Sequence, residues 1–190
     1  MRYEPNPFWP GDENHITIVP YVEQHFAQET LALLWKRAGE QYVPSYVWSD
    51  GQPVSLNTFV RNYGPESGRT LFLAVHAPPD TEHTAFQIDS VIGFMWVDNV
   101  QNHRADAHFF FYEDWRGEWT VASAKKMVSI LFNEPFNLSL LICRTNSQNR
   151  LAVAFAKRCG ATIIGEIPKY YKHGNNFYNA TIGHIVKDDN

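Results

Sequence analysis

The segment at residues 149–161, NRLAVAFAKRCGA, constrains the fold of this chain more strongly than any other part of the sequence. Asn149 is a preferred residue type at the start of a helix, and Gly160 is a preferred type directly after a helix ends. The segment therefore predicts a short helix. Apolar runs typical of strands lie on either side of it, at residues 138–143 and 162–167. A helix between two strands indicates a mixed α/β protein.

Further strands and helices are predicted along the rest of the sequence. Alternating or β-branched runs predict five more strands, at residues 15–20, 70–76, 90–97, 105–112 and 178–186. Apolar residues at helical spacing predict helices over residues 22–42, 122–132 and 150–159, and a short one from an N-cap at Ser55 to Val60. Turns are predicted at residues 113–118 and 172–176. With no internal repeat, one domain over residues 1–190 is expected, with an extended, proline-rich leader at residues 1–14.

Composition and charge exclude several classes of protein. Of the 190 residues, 44% are hydrophobic and 19% are charged, which is typical of a folded globular chain. The net charge of -4 gives no overall field that would attract nucleic acid or an anionic membrane surface. The sequence has no apolar run long enough for a membrane-spanning helix, so none is expected.

The two cysteines, Cys143 and Cys159, both lie in apolar segments. So few cysteines favour a reducing compartment over a secreted disulfide framework, and a cytoplasmic location is expected. Neither cysteine lies in a pattern typical of catalysis. The eight histidines form no compact metal-binding spacing, and the nucleophile-elbow and phosphate-loop motifs are missing, so metal catalysis is not expected.

Two segments resemble the GNAT superfamily of N-acetyltransferases. Residues 149–161 are similar to the superfamily pattern N-x-x-A-x-x-L-Y-x-x-x-G-F. The positions that match it are Asn149, Ala152, Phe155 and Gly160. Residues 91–124, VIGFMWVDNVQNHRADAHFFFYEDWRGEWTVASA, are similar to a strand, a turn, the central strand and the pyrophosphate loop of that superfamily. The resemblance is nearest to the branch that acetylates protein and ribosomal-protein N-termini.

The resemblance implies a fold and a cofactor. The implied fold is a mostly antiparallel sheet flanked by helices, with a V-shaped splay between strands 4 and 5. The implied cofactor is acetyl-CoA (CoA), bound by residues 91–185. Its implied contacts are Phe110, Phe111, Arg116, Gly117, Trp119, Thr120, Val121, Ala122, Asn149, Ala152 and Phe155.

The pyrophosphate loop departs from the superfamily pattern R/Q-x-x-G-x-G/A. In such a loop, backbone N–H groups at a helix N-terminus bind the phosphates, so small residues are needed for close approach. The similar stretch here is residues 116–121, in which Trp119 and Val121 occupy the positions of small residues and Glu118 adds a negative charge. Trp119 is expected either to obstruct the pocket or to stack on a group bound there.

Asp106 and His108 are the candidate catalytic residues. They are two positions apart on a predicted strand and therefore share one face, where either can take a proton from an incoming ammonium. His108 has the more suitable ordinary pKa. The alternatives are that Asp106 pairs with Arg104 and that His108 is a partly buried histidine with a satisfied hydrogen bond.

The acceptor site and the acid that protonates the leaving thiolate are less defined. Ala156 occupies the position of the usual tyrosine, so the sequence indicates no general acid. The variable region of the superfamily, which forms the acceptor wall, implies substrate contacts at Trp48, Phe59 and Tyr63, although helix packing explains Phe59 equally well. Tyr171 and its neighbour Tyr170 are expected in the loop between the last two strands, near the acceptor.

Two functions follow from the resemblance. The first is an acetyl-CoA-dependent N-acetyltransferase that acts on a primary amine of a protein or a small molecule. The second is a catalytically weak GNAT-fold protein that binds and modulates a partner protein, for example in a host, because four motif positions depart from the pattern. In this respect the chain resembles the divergent GNAT proteins of bacteriophages. The departing positions are Glu118, Trp119, Val121 and Ala156.

Overall fold

The chain folds around one 7-stranded sheet, with strand order β1-β2-β3-β4-β5-β7-β6. The computed structural model describes residues 15–20, 28–41, 55–64, 67–76 and 88–188. The strands are β1 (Ile16–Pro20), β2 (Thr70–His76), β3 (Val91–Gln101), β4 (Arg104–Phe111), β5 (Leu140–Asn146), β6 (Thr162–His173) and β7 (Asn176–Val186). All seven predicted strands are therefore present, as the mixed α/β prediction requires. The leader at residues 1–14 lies outside the described residues.

Among the described residues, the sheet is accompanied by the α-helices α1 (Gln28–Glu40), α2 (Leu56–Tyr63), α3 (Glu118–Phe132) and α4 (Arg150–Arg158). Both predicted N-caps are confirmed. The Ser55 hydroxyl accepts a hydrogen bond from the N–H of Thr58 at 3.2 Å, and the Asn149 side chain accepts one from the N–H of Ala152 at 3.1 Å. Within the described ranges, no helix combines the length and the hydrophobicity needed to cross a membrane.

Helix α3 begins earlier than predicted, at Glu118 instead of residue 122. The predicted turn before it is shorter, because a 3-10 turn covers only Glu113–Trp115. Gly117 then supplies a φ of +105°, which a residue with a side chain rarely adopts, and the helix starts directly after it. The apolar pattern failed to predict this start because the first turn contains the polar residues Glu118 and Thr120.

Strand β6 is longer than predicted and changes the position of two tyrosines. The prediction ended this strand at Ile167, but pairing with β7 continues after a register shift between Ile167 and Tyr171. Lys169, at φ +54°, lies within that irregularity. Tyr170 and Tyr171 are therefore strand residues, and the expectation that they lie in a loop is wrong.

The sheet is splayed between β4 and β5, which confirms the implied V shape. These two strands are parallel and pair only over three positions, from Arg104 with Leu140 to Asp106 with Ile142. Beyond that point β4 continues along β3 and β5 continues along β7. The two halves of the sheet therefore separate toward the C-terminal ends of β4 and β5.

The splay leaves backbone groups of β4 directed into the gap. The N–H of Tyr112 donates to the carbonyl of Ile92, so this residue faces β3, whereas the carbonyl of His103 accepts from Leu140 on the β5 side. Because orientation alternates along a strand, the N–H groups of Phe109 and Phe111 face the β5 side, where the ladder has already ended. The gap is therefore lined by backbone donors that are not paired by any strand among the described residues.

The helices cover the two faces of the sheet. Helix α2 packs through Phe59 against Phe94 of β3, with ring centroids 5.7 Å apart. On the opposite face, Val121 of α3 and Phe155 of α4 pack with Phe111 of β4. Helices α3 and α4 therefore border one side of the splay, and α2 lies on the other.

Candidate active site

A cavity of about 570 Å³ fills the splay between β4 and β5. Its volume is in the range of small-molecule sites in proteins. Because the splay interrupts the sheet, residues from both faces of the sheet reach the same cavity. The lining residues are Arg69, Trp96, Asp98, Ala107, His108, Phe109, Cys143, Arg144, Thr145, Asn146, Asn149, Ala152, Phe155, Ala156, Cys159, Tyr170, Tyr171, Lys172 and Ile185.

The wall on the α4 side is apolar and built from small and aromatic residues. Phe155 contacts Phe109 with ring centroids 5.9 Å apart, and Ala152 and Ala156 lie on the same helix. The predicted residues Asn149, Ala152 and Phe155 all line the cavity. The residue type at position 156 also has a structural consequence, because alanine leaves room that a tyrosine would fill.

Of the two β4 phenylalanines implied as cofactor contacts, Phe110 has its side chain directed away from the cavity. Phe110 is 7% exposed and packs in the core against Phe94 and Tyr112, on the face opposite to α3 and α4. Phe109 lines the cavity instead, and Phe111 packs beside it against Phe155. The alternation of β4 was visible in the sequence, but which face would meet α4 was not.

The loop before α3 has the form of an anion-binding helix start. Gly117 occupies the N-cap position and makes no side-chain capping bond, and the hydroxyl of Thr120 donates to its carbonyl at 2.8 Å. The N–H groups of the first helical turn, at Glu118, Trp119 and Thr120, precede the first i to i−4 bond, which comes from Val121. The residue that needs glycine here is therefore Gly117, two positions before Trp119.

Trp119 lies in the hydrophobic core. It is 8% exposed and packs edge-on against Trp115 and His76, with centroid distances of 5.7 and 4.9 Å. The ring thus neither obstructs the cavity nor lines it. The expectation that this side chain acts within the pocket is corrected, because α3 directs position 119 toward the sheet. Ala122 is likewise packed against the core.

The charges around the loop are paired. Glu118 accepts a hydrogen bond from Arg158 of α4 at 2.6 Å, and Arg116 forms an exposed ion pair with Glu113 at 2.9 Å. Both pairs are solvent-exposed, so each contributes little to stability. The Glu118 carboxylate is nevertheless directed to a cation, which reduces the repulsion it would exert on a bound phosphate.

His108 lines the cavity and contacts an acidic side chain. Its Nε2 lies 3.3 Å from Oδ1 of Asp98, and its ring stacks on Trp96 at 4.9 Å with an angle of 2°. An ionised carboxylate only accepts hydrogen bonds, so Nε2 carries the proton in this contact. The neutral ring then has its basic nitrogen at Nδ1.

Asp98 is held in its ionised form. Burial acts to raise the pKa of this carboxyl, but the hydrogen bond from His108, the positive charge of that ring in its protonated form and the charges of Arg69 and Arg144 together outweigh burial and lower the pKa below its ordinary value. Arg69 donates from Nε to Oδ2 of Asp98 at 3.2 Å. Asp98 lies within residues 91–124, but the resemblance assigns no role to that position, and Arg69 lies outside both similar segments.

Asp106 does not line the cavity. It is 7% exposed, and its Oδ2 accepts hydrogen bonds from Arg144 and from Asn99, the latter at 2.6 Å. Its partner is therefore Arg144 on β5, and Arg104 donates instead to Gln101. The proposed role of Asp106 as a base is less well supported by this geometry than that of His108, because His108 lines the cavity and Asp106 does not.

Arg144 connects this ion pair to a tyrosine on β6. Its Nη1 donates to the hydroxyl oxygen of Tyr170 at 2.8 Å, and both residues line the cavity. Because the tyrosine oxygen accepts this bond, its own proton is directed elsewhere. Tyr171, a predicted substrate-binding residue, also lines the cavity.

The other predicted acceptor contacts lie elsewhere. Phe59 and Tyr63 are 0% and 5% exposed and belong to the hydrophobic core, so they support the packing of α2 and do not line the cavity. This corrects the expectation of an acceptor wall formed by α2. Trp48 lies outside the described residues.

The two cysteines line the cavity as free thiols. Burial and, to a smaller extent, the nearby Asp106 charge raise the pKa of Cys143 to about 11. Burial likewise raises the pKa of Cys159 to about 12. Both are therefore protonated and weakly nucleophilic at neutral pH.

No protein-family model matches this sequence, and no curated protein matches it either. Solved structures do match the fold. The chain is similar to the ribosomal-protein-S5-alanine acetyltransferase of Vibrio fischeri, with a TM-score of 0.67, 14% identity and coverage of 92% of this chain and 94% of that one.

Two further matches were solved with ligands. The spermidine N-acetyltransferase of Vibrio cholerae, in complex with CoA and spermine, has a TM-score of 0.64 at 12% identity, covering 90% of this chain and 95% of that one. The microcin C7 self-immunity acetyltransferase, in complex with acetyl-CoA and AMP, has a TM-score of 0.65 at 13% identity. The match covers 92% of this chain and 93% of that one. The chain therefore has the GNAT acetyltransferase fold, as its sequence resemblance implied.

Proposed function

We propose that this protein is an N-acetyltransferase that uses acetyl-CoA and acts on a primary amine. The observation that carries the proposal is the cavity in the β4–β5 splay, where the apolar wall of α4 meets the imidazole of His108. One side of the cavity can hold a thioester and the other can hold an amine. Residues 1–190 are proposed to act as one domain, in the cytoplasm, with both thiols reduced.

The described residues fit acetyl-CoA in three respects. The N–H groups of Phe109 and Phe111 face the gap without a strand partner, the start of α3 has free N–H groups after Gly117, and Phe155 supplies an apolar surface. The two ligand-bound acetyltransferases with this fold contain CoA or acetyl-CoA. When bound, acetyl-CoA supplies the acetyl group as a thioester.

The proton from the acceptor is assigned to His108. The hydrogen bond from Nε2 to Asp98 fixes the ring and leaves Nδ1 as the base that takes a proton from the ammonium or from an intervening water. As the new bond from nitrogen to the acetyl carbon forms, the carbon–sulfur bond breaks and the thiolate must gain a proton. Tyr170 is the proposed donor, because Arg144 fixes its oxygen and leaves its O–H free to point into the cavity.

The alternative, a catalytically weak protein that modulates a partner, has lost its main support. It depended on Glu118, Trp119, Val121 and Ala156 as defects of the cofactor site. Trp119 packs in the core, Val121 packs beneath Phe111, and Glu118 pairs with Arg158. None of these contacts prevents a ligand from reaching the start of α3.

Calorimetry with acetyl-CoA, followed by a CoA-release assay, tests the proposed function. The amine panel contains lysine, spermidine and short peptides with free N-termini. Saturable binding and CoA release with at least one amine are expected. His108→Gln should lower kcat by about 10²–10⁴-fold without weakening acetyl-CoA binding.

The matched control is Asp106→Asn, which keeps the shape of the side chain. This substitution should clearly lower the free energy of unfolding and should change kcat only slightly. The reason is that it removes the charge that balances Arg144. Loss of activity in Asp106→Asn with full activity in His108→Gln would show that the base is Asp106 and not His108. If acetyl-CoA does not bind at all, the proposed function is wrong.

A further inference from the structure

The described lining of the cavity carries more positive than negative charge. Arg69, Arg144 and Lys172 all line the cavity, and Asp98 is the sole carboxylate among its described lining residues. Asp106 lies behind this lining and pairs with Arg144. With His108 neutral, three permanent cations therefore face two carboxylates.

Arg69 and Lys172 keep hydrogen-bond donors that are not bound to described residues. Arg69 donates from Nε to Asp98 and from Nη1 to the carbonyl of Asn62, which leaves Nη2 without a hydrogen bond to a described residue. Lys172 forms no ion pair with a described residue, and its Nζ lies over the ring of Phe177 at 5.7 Å. A bound anion can therefore be recognised by Nη2 of Arg69 or by Lys172 without breaking an existing pair.

Asp98, in contrast, is already paired with a cation at one oxygen and hydrogen-bonded at the other. Its Oδ2 accepts from Arg69 and its Oδ1 accepts from His108. The pKa of Asp98 is lowered despite its burial, first by the hydrogen bond with His108 and its charge and then by the charges of Arg69 and Arg144. An acceptor with several ammonium groups would therefore meet net repulsion beyond the one amine that reacts.

Building on the proposed function, we infer that the preferred acceptor carries an anionic group, such as a carboxylate, close to its reactive amine, and that polyamines are disfavoured. Arg69 and Lys172 are the specificity-determining residues in this assignment. A carboxylate several bonds from the amine can reach them while the amine lies beside His108, because all three line one cavity. Electrostatic complementarity of this kind selects between substrates of equal size.

The test uses three conjugates of CoA with different acceptors. All three are expected to bind through the same CoA part. In each, the CoA sulfur is joined through a –CH₂C(O)– bridge to the nitrogen of γ-aminobutyrate, γ-aminobutyramide or putrescine. The free ends have similar length and carry a negative, a neutral and a positive charge. Calorimetry on the full chain at low salt gives their Kd values without any need for turnover.

We expect the γ-aminobutyrate conjugate to bind at least about tenfold more tightly than the putrescine conjugate, which corresponds to about 1.4 kcal/mol. Arg69→Gln and Lys172→Gln should each reduce that ratio. Lys172 is exposed, so its substitution keeps the assay valid even if Arg69→Gln does not fold. Lys36→Gln makes the same change in net charge on α1, outside the cavity, and should leave the ratio unchanged.

The outcomes separate this inference from the function on which it rests. If all three conjugates bind equally, or if the putrescine conjugate binds most tightly, the inference about the acceptor is overturned while CoA binding still supports the acetyltransferase. An effect of Lys36→Gln equal to that of Lys172→Gln would also overturn it, because the selectivity would then reflect net charge. If neither CoA nor any conjugate binds, the proposed function itself fails.

Discussion

His108 of β4 and Asp98 of β3 are diagonal neighbours on adjacent antiparallel strands, with Nε2 3.3 Å from Oδ1. The register pairs Asp98 with Asp106 and Trp96 with His108, so these side chains share one face of the sheet. The imidazole is thus stacked on Trp96 and fixed at one nitrogen by Asp98. Asp98 is therefore a positioning residue for the base that we assign to His108.

Asp98→Ala should lower kcat by about tenfold with a smaller effect on KM, because the ring loses the acceptor that fixes its tautomer and orientation. Asp98→Asn keeps an oxygen that can accept from Nε2 and should recover part of the rate. Steady-state kinetics over pH 6 to 9 measure both effects. Equal rates for the alanine variant and the unchanged protein would remove Asp98 from the mechanism.

The same carboxylate should make stability depend on pH in acid. Its pKa is lowered from 3.8 in the folded chain, so its stabilising contribution is fully present above that value and is lost as pH falls through the lower folded value. The free energy of unfolding of the unchanged protein should exceed that of Asp98→Asn at pH 6. The difference should shrink below about pH 4. Urea unfolding at several pH values tests this, and a difference that grows in acid would contradict it.

Trp119→Ala should destabilise the fold by about 3–5 kcal/mol, the range for removing a large buried aromatic side chain. The reason is its packing against Trp115 and His76 in the core. Acetyl-CoA affinity of the folded protein should remain unchanged. Denaturant unfolding and calorimetry measure the two quantities, with Trp119→Phe as the milder control. A clear change in acetyl-CoA affinity without a loss of stability would show that this side chain contributes to cofactor binding.

Gly117→Ala should weaken acetyl-CoA binding about tenfold, as the loss of one charge-assisted hydrogen bond would do. The φ of +105° at this position is strained for any side chain, so the N–H groups at the start of α3 should shift. Gly174→Ala is the matched control, because it also has a positive φ with open space around it but lies in the β6–β7 turn. Equal effects of the two substitutions on Kd would exclude a role of the loop.

Gly93→Ala should destabilise the protein by about 1–3 kcal/mol through overpacking. A Cβ at this position would collide with the carbonyl oxygen of Phe110 and would lie 2.6 Å from the ring of Phe111 on the adjacent strand. Gly39→Ala, on α1 with nothing within 4 Å, should instead stabilise by about 0.5–1 kcal/mol. Thermal and urea unfolding distinguish the two, and similar values for both would contradict the packing argument.

Local sequence signals were sufficient for most of the secondary structure. The N-caps at Ser55 and Asn149 act through side chains three residues from the N–H that they bind, so the sequence contains both partners. Strand β6 was cut short because Pro168 and Lys169 are typical of a turn. Its continuation depends on pairing with β7, which is a non-local interaction.

The candidate site was only partly predictable. His108, Asn149, Ala152, Phe155 and Tyr171 were identified beforehand and line the cavity. Asp98, Arg69 and Arg144 also line the cavity, but the sequence resemblance assigns them no role, and they come from three different strands or their ends. Their meeting depends on strand register, which no local pattern reports.

The sequence by itself determined the helix start at Asn149, the alternation of β4 and the resemblance to acetyltransferases, because these depend on residues close together in the chain. Only the tertiary structure decided which side of β4 meets α4, that Trp119 packs into the core, and that Asp98 reaches His108. The physical reason is that one-residue alternation gives each strand two equivalent faces. The choice between them is made by the helices and strands that pack against it.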